Sequence, residues 1–134
     1  MIVVDTNIVA YLFLDGDKHP QARRVLERDP HWRTSPLWVH EFCNTLTKHH
    51  KAGLLTREEC ERALSKALAA IRPTEQPIAP HAALRTAIDF GITSYDAEYL
   101  ALAIGLGVRC VTEDRRLRDA ARDHTWSMEE FLAS

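Results

Sequence analysis

Short apolar runs alternate along this chain with longer stretches in which apolar residues recur at helical spacing. The run IVVD at 2–5 is short and uninterrupted, as is typical of a strand buried within a parallel sheet. The stretch TNIVAYLFL at 6–14 follows at once and predicts a helix. Because strands and helices alternate in this way along the chain, the pattern predicts an α/β fold with a central parallel sheet covered by helices on both faces.

End signals mark several of the remaining elements. Pro36 and Gly53 bracket a helix at 36–53, and a Thr and a Glu at capping-box spacing open the next at 56–71. Further helices are predicted at 18–28, 80–91, 95–107, 113–122 and 127–133, and further strands at 32–35, 76–79 and 108–112. No repeat or linker divides the chain, so we expect a single domain over 1–134.

Composition narrows the class of protein. Hydrophobic residues make up 46% of the chain, which fits a globular core and argues against disorder. The 17 basic and 19 acidic residues leave a net charge of −2, so the chain lacks the strongly basic surface of a general nucleic-acid binder. Three scattered cysteines indicate a reducing compartment, and no apolar run approaches ~20 residues. We therefore expect a cytoplasmic protein with no membrane segment.

Acidic residues lie where the predicted strands are followed by helices, or at the start of a helix. Asp5 ends the first strand, and Asp96 opens the helix at 95–107. Glu113 and Asp114 follow the last strand. In open parallel sheets, sites form outside the carboxyl ends of the strands, so these acids are candidates for one shared site.

Helix capping is the alternative explanation for each of these acids. Asp5 has the position of an N-cap for the helix that follows it. Thr93 and Asp96 have the T-x-x-D spacing of a capping box, and Thr112 precedes a helix with Glu113 in its first turn. The sequence of any one segment leaves capping and chemistry equally open.

One further acid lies inside a predicted helix. On a helical wheel, Glu41 shares a polar line with Asn44, opposite an apolar face that includes Phe42 and Leu46. A solvated helix face and a polar cleft predict the same pattern. If the line faces a cleft, the two side chains at i and i+3 project to one point.

Convergent carboxylates have a specific chemical meaning. Three or four acids in one pocket repel one another unless a cation neutralises them. Hard divalent cations such as Mg²⁺ and Mn²⁺ take oxygen ligands, mostly carboxylates and water. A metal site is therefore expected if the candidate acids converge, which spacing alone does not establish.

The residues after Asp114 are basic. Arg115, Arg116 and Arg118 form either a solvated helix face or a grip on substrate phosphate. No phosphate-binding glycine loop and no G-x-S-x-G elbow is present. A dehalogenase-type phosphatase site built on Asp5 is disfavoured, because Asn7 stands where such a site needs a second acid.

Four segments, taken in order, resemble a known family. VVDTNIVAYL, HEFCNTL, SYDAEYLALA and CVTEDRRL resemble the motifs of the PIN-domain ribonucleases. The chain length and the closing SMEEFL are most similar to the toxins of VapBC toxin–antitoxin pairs. The resemblance spans nearly the whole chain, although residues 54–91 carry no motif. It implies a PIN-like α/β/α sandwich with a central parallel sheet.

The resemblance also implies roles for individual residues. The catalytic and metal-binding acids it implies are Asp5, Glu41, Asp96 and Asp114. The supporting polar residues it implies are Asn7, Asn44 and Thr112. Glu113 is a departure, as a second acid inside the Thr-x-Asp motif, so the fourth ligand is Asp114, Glu113 or both.

The activity implied by the resemblance is Mg²⁺- or Mn²⁺-dependent endonucleolytic cleavage of RNA by activated water. The implied partners are an RNA substrate, a cognate antitoxin protein and a second copy of the chain in a homodimer. Two alternatives stay open within the family. One is a nuclease of RNA maturation, and the other is an inactive PIN fold that only binds partners.

Overall fold

Four short parallel strands form the centre of the computed structural model, which describes all 134 residues. They are β1 (Ile2–Val4), β2 (Trp32–Arg33), β3 (Cys110–Val111) and β4 (Thr125–Trp126). They lie in the order β2-β1-β3-β4, and every pairing is parallel. The chain moves from β1 to one side and later returns to the other side, so the strand order reverses between β1 and β3. In open α/β sheets, ligands bind outside the carboxyl ends of the strands at this point.

Eight α-helices surround the sheet. They are α1 (Thr6–Phe13), α2 (His19–Arg28), α3 (Trp38–Lys51), α4 (Arg57–Ile71), α5 (Pro80–Phe90), α6 (Ser94–Leu106), α7 (Arg115–Ala120) and α8 (Met128–Ala133). Short 3-10 turns follow α4 and α7. Every predicted helix occurs, with ends that differ by no more than two residues from the predicted ones. None of the helices is long and apolar enough to cross a membrane.

The predicted strands need more correction than the helices. The strand expected at 76–79 is wrong. Only an isolated bridge joins Thr34 to Glu75 there, and the Gln76 N–H still donates to the Thr34 carbonyl (2.9 Å) before Pro77 removes the next donor. Strand β4 was not predicted.

Alternation along β1 divides the core into two layers. Ile2 and Val4 belong to the larger cluster, which joins the sheet to α1, α2, α3, α4 and α8. Val3 points to the other face and packs with Tyr99 and Leu102 of α6. Helix α6 is buried on several sides because α5 packs outside it. The result is the predicted α/β/α sandwich.

Candidate active site

A pocket of about 180 Å³ opens beside the carboxyl ends of β1 and β3. Four acids from four separate segments line it, and we refer to it as the acidic pocket: Asp5, Glu41, Asp96 and Asp114. Two amides and three hydroxyls complete its polar lining: Asn7, Asn44, Thr6, Thr45 and Tyr99. No lysine or arginine is among these residues. The topology therefore brings together the acids that the sequence places at strand ends and on α3.

Asp5 is both the N-cap of α1 and a wall of the pocket. The residue is 8% exposed, and its carboxylate accepts hydrogen bonds from the Ile8 N–H (3.3 Å) and from the Thr112 hydroxyl. Burial raises the pKa of Asp5 to about 7, against the lowering effect of these two bonds, and the nearby Asp96 and Glu41 raise it further. The carboxylate is therefore fixed in position while its ionised form is disfavoured.

Asp114 caps α7 in the same manner. Its Oδ1 accepts from the Leu117 N–H (3.1 Å), while its own N–H donates to the Thr112 hydroxyl oxygen (3.0 Å). The alternative in which Thr112 caps the helix that begins at Glu113 is thus wrong by two residues, since α7 begins at Arg115 with Asp114 as its cap. Thr112 instead lies between the two acids, donating to Asp5 and accepting from the backbone of Asp114.

Asp96 does not form the capping box that its spacing predicted. The Thr93 hydroxyl accepts from the Asp96 N–H (3.1 Å), but the Thr93 N–H donates no return bond to the Asp96 carboxylate. Both bonds of such a box are present between Thr56 and Glu59. Burial raises the pKa of Asp96, and Asp114 and Glu41 raise it further. Thr93 alone caps α6, and the half-buried carboxylate of Asp96 lines the acidic pocket.

Glu41 is held from one side by two hydroxyls. Its Oε1 accepts from Tyr99 (2.5 Å) and from Thr6 (2.7 Å), and these two hydroxyl oxygens lie 2.6 Å apart. Burial and the bond to Glu41 raise the pKa of Tyr99 above its ordinary value, so the phenol keeps the proton that it donates. The second carboxylate oxygen of Glu41 accepts no hydrogen bond from the protein.

Thr6 and Tyr99 are site residues that the sequence reasoning missed. Both stand inside the quoted motifs, Thr6 next to Asp5 and Tyr99 three residues after Asp96. The i,i+3 spacing on α6 was the available signal, since it directs Tyr99 to the same helix face as Asp96.

Glu113 lies outside the acidic pocket. One of its carboxylate oxygens pairs with the Lys18 ammonium (2.9 Å), and the other accepts from the Met128 N–H at the start of α8 (3.0 Å). Of the two adjacent acids, only Asp114 lines the pocket. The arginines predicted to contact RNA also stay out of the lining. Arg118 pairs with Glu130 (3.5 Å), and the other two are exposed: Arg115 and Arg116.

The donor set of the pocket suits a hard divalent cation, because every polar side chain in it offers oxygen or an amide. As they stand, no three His, Cys, Asp or Glu side chains are grouped closely enough to hold one ion. Both oxygens of Asp5, and one oxygen each of Glu41 and Asp114, already accept hydrogen bonds from the protein. A cation would have to bind through the lone pairs that these bonds leave free.

Comparison with known proteins identifies the family. A family model described as the PIN domain matches residues 2–123. The chain belongs to the PIN-domain family. Ribonuclease VapC3 of Pyrobaculum aerophilum is 31% identical over 121 residues, which cover 88% of this chain and 92% of that relative. Exonuclease VapC9 of the same organism is 35% identical over 81 residues, which cover 60% of each chain.

Two solved structures share the fold. The crystal structure of PAE2754 from Pyrobaculum aerophilum has a TM-score of 0.78 at 23% identity, with 98% of this chain and 93% of that chain covered. The crystal structure of FitAcB from Neisseria gonorrhoeae has a TM-score of 0.69 at 18% identity, with 96% and 99% covered. At these identities the likeness concerns the fold alone, and it agrees with the predicted sandwich.

Proposed function

We propose that this chain is a metal-dependent endoribonuclease that acts as the toxin of a type II toxin–antitoxin pair. The observation that carries the nuclease part is the acidic pocket, in which four carboxylates meet without a basic residue. The likeness to Ribonuclease VapC3 over most of both chains supports RNA as the substrate and the toxin as the biological role.

The proposed ion is Mg²⁺ or Mn²⁺, held by the carboxylates of the acidic pocket. When bound, such an ion lowers the pKa of a water molecule and offsets the charge of the phosphate that is attacked. The protein's part is to keep the ligands in place. Thr112 and the Ile8 N–H fix Asp5, while Tyr99 and Thr6 fix one oxygen of Glu41 and leave the other for a ligand. Ligands held in this way need little rearrangement when substrate arrives.

The same acids make cation and substrate binding interdependent. Four carboxylates repel a phosphodiester, and the chain has no surplus of positive charge to compensate, since its net charge is −2. RNA should therefore bind productively only when the pocket also holds a cation. The need for a cation separates this proposal from an inactive PIN fold that only binds partners.

The proposed toxin role implies particular partners. We propose a cognate antitoxin protein, a homodimer and a cytoplasmic location. An arginine of the antitoxin would suit the acidic pocket in place of the cation, because guanidinium pairs strongly with carboxylates. Purification of the chain alone and with the product of the neighbouring gene tests this point. Equal rates of RNA cleavage in the two preparations would count against an antitoxin.

The nuclease itself is tested with single-stranded RNA and the purified chain, in Mg²⁺, in Mn²⁺ and in chelator. We expect cleavage with at least one of the two ions and none in chelator. A preparation that is folded but cleaves no RNA with either ion would refute the proposed activity.

A second candidate is an exonuclease, because Exonuclease VapC9 is among the relatives. A circular RNA has no ends, so it is cut only by an endonuclease. Cleavage of circular and linear forms of one sequence supports the endonuclease, whereas cleavage of the linear form alone supports the exonuclease.

A further inference from the structure

A second cavity adjoins the acidic pocket. It has a volume of about 430 Å³ and lies between α1, the loop that follows it, the start of α2 and the second half of α3. Asn7 and Thr45 belong to the linings of both, so the two spaces lie side by side. We refer to it as the histidine cavity, and its lining includes Tyr11, Asp15, Lys18, His19 and His49.

The acidic pocket is too small to hold a nucleotide by itself. Its volume of about 180 Å³ lies below the roughly 300–1,000 Å³ of sites that enclose small molecules. A phosphate and a cation fit such a space, but a base and its ribose must lie beyond it. The histidine cavity lies beside it and has sufficient volume.

The hydrogen bonds of two histidines in the cavity fix which ring nitrogen carries the hydrogen. His49 Nδ1 lies 2.8 Å from the Thr45 carbonyl oxygen, and His19 Nδ1 lies 3.0 Å from the Tyr11 carbonyl oxygen. Because a carbonyl only accepts, Nδ1 carries the hydrogen in both rings. Nε2 of each neutral ring is then an acceptor without a protein partner.

The charges in the cavity disfavour a second phosphate. Lys18 is its single permanent cation, and its ammonium is already paired with Glu113 (2.9 Å). Asp15 and Asp17 also line the cavity and are exposed. Acceptors on the histidines and acids match the N–H and O–H donors of a base edge and a ribose. Tyr11 adds an aromatic surface of the kind on which unpaired bases stack.

We propose that the histidine cavity binds the nucleoside next to the scissile phosphate, with His49 and His19 accepting hydrogen bonds from its base or ribose. This inference rests on the proposed RNA cleavage, because it names a subsite for that substrate. His49 is then a specificity-determining residue, since its Nε2 accepts a hydrogen bond from the bound nucleoside while its Nδ1 is held by the Thr45 carbonyl.

The first experiment needs no catalysis. The ring proton signals of His19 and His49 are followed by NMR in chelator while adenosine, guanosine, cytidine, uridine or inorganic phosphate is added. We expect at least one nucleoside to shift both sets of signals, and phosphate to shift neither. Signals that respond to phosphate alone, or to none of the five compounds, would overturn the proposal.

The second experiment compares neighbouring histidines in RNA cleavage. His50 is the matched control, because its Nδ1 also lies near a backbone carbonyl, that of Leu55 (2.9 Å), but it is exposed and outside both linings. We expect His49→Ala to raise KM about tenfold with little change in kcat, as one lost hydrogen bond to substrate would do. His49→Gln, which keeps an acceptor, should recover part of the loss, and His50→Ala should match wild type.

The outcomes separate the inference from the activity on which it rests. If wild type cleaves RNA and His49→Ala has the same KM as His50→Ala, the subsite is wrong and the nuclease stands. If wild type cleaves no RNA, the proposed function fails, and the nucleoside titration still decides whether the cavity binds nucleosides. Melting temperatures of the variants show whether a kinetic change reflects misfolding.

Discussion

Raising the pH should destabilise the protein in chelator, and Asp5 should be the main cause. The ordinary pKa of an aspartate is 3.8, and burial raises that of Asp5 to about 7. Between these values the unfolded chain has lost the proton while the folded chain keeps it. Each rise in pH within this window therefore favours the unfolded chain. Above about pH 7 both states are ionised, and the loss of stability is complete.

The size of the effect follows from the same two values. Each pKa unit corresponds to 1.36 kcal/mol, so the interval from 3.8 to about 7 amounts to roughly 4 kcal/mol. Asp5→Asn abolishes this titration and keeps an oxygen that can accept from the Ile8 N–H, since Asn caps helices about as well as Asp. Other acids titrate in the same range, and Asp96 has the same sign. The difference between wild type and the variant isolates Asp5.

Urea unfolding in chelator measures this difference. Between about pH 4 and about pH 8, wild type should lose roughly 4 kcal/mol more than Asp5→Asn. Adding Mn²⁺ near pH 8 should restore stability to wild type, because an ion that binds only the folded chain stabilises it. Parallel stability curves for the two proteins would refute the reasoning, since they would mean that Asp5 ionises as readily in the fold as in the unfolded chain.

Three further predictions concern Glu41 and Tyr99, which line the acidic pocket, and Glu113, which lies outside it. Mn²⁺ should raise the melting temperature of wild type more than that of Glu41→Gln, which has one negative charge fewer; equal shifts would exclude Glu41 from the cation site. Tyr99→Phe should lower the free energy of unfolding by about 1–3 kcal/mol, because a buried hydrogen bond to a carboxylate is lost. An unchanged free energy in urea unfolding would contradict that bond. Glu113→Gln should cleave RNA at the wild-type rate, and loss of cleavage would place Glu113 in the reaction. Its stability should change by less than about 1 kcal/mol, because the partner Lys18 is 45% exposed.

The fold was largely predictable because its signals are local. The apolar run at 2–5 and the helical spacing after it reflect packing between a buried strand and its helices. Once the sheet is parallel, acids that follow strands must gather at one edge, and Asp5 and Asp114 do so. Strand β4 was beyond this reasoning, because its pairing with β3 depends on the sheet rather than on its own two residues.

The details of the site depend on contacts that no local pattern records. Tyr99 and Glu41 are 58 positions apart, and only the folded chain brings them close enough for their bond. Glu113 and Asp114 are adjacent and chemically alike. Glu113 lies outside the pocket because it binds Lys18 and the N–H at the start of α8. Sequence spacing and the family resemblance therefore pointed to the acids and to Thr112, but not to Tyr99 and Thr6, whose hydroxyls hold Glu41.

The cleavage rate of Asp96→Asn in Mn²⁺ tests the central claim most directly. Thr93 caps α6 without help from the Asp96 side chain, so the variant should fold and change in stability by no more than about 1 kcal/mol. It removes one negative charge from the acidic pocket. The account predicts that RNA cleavage falls by about a hundredfold or more, because cation binding and water activation both depend on that charge. Cleavage at the wild-type rate by a folded Asp96→Asn protein would contradict the account.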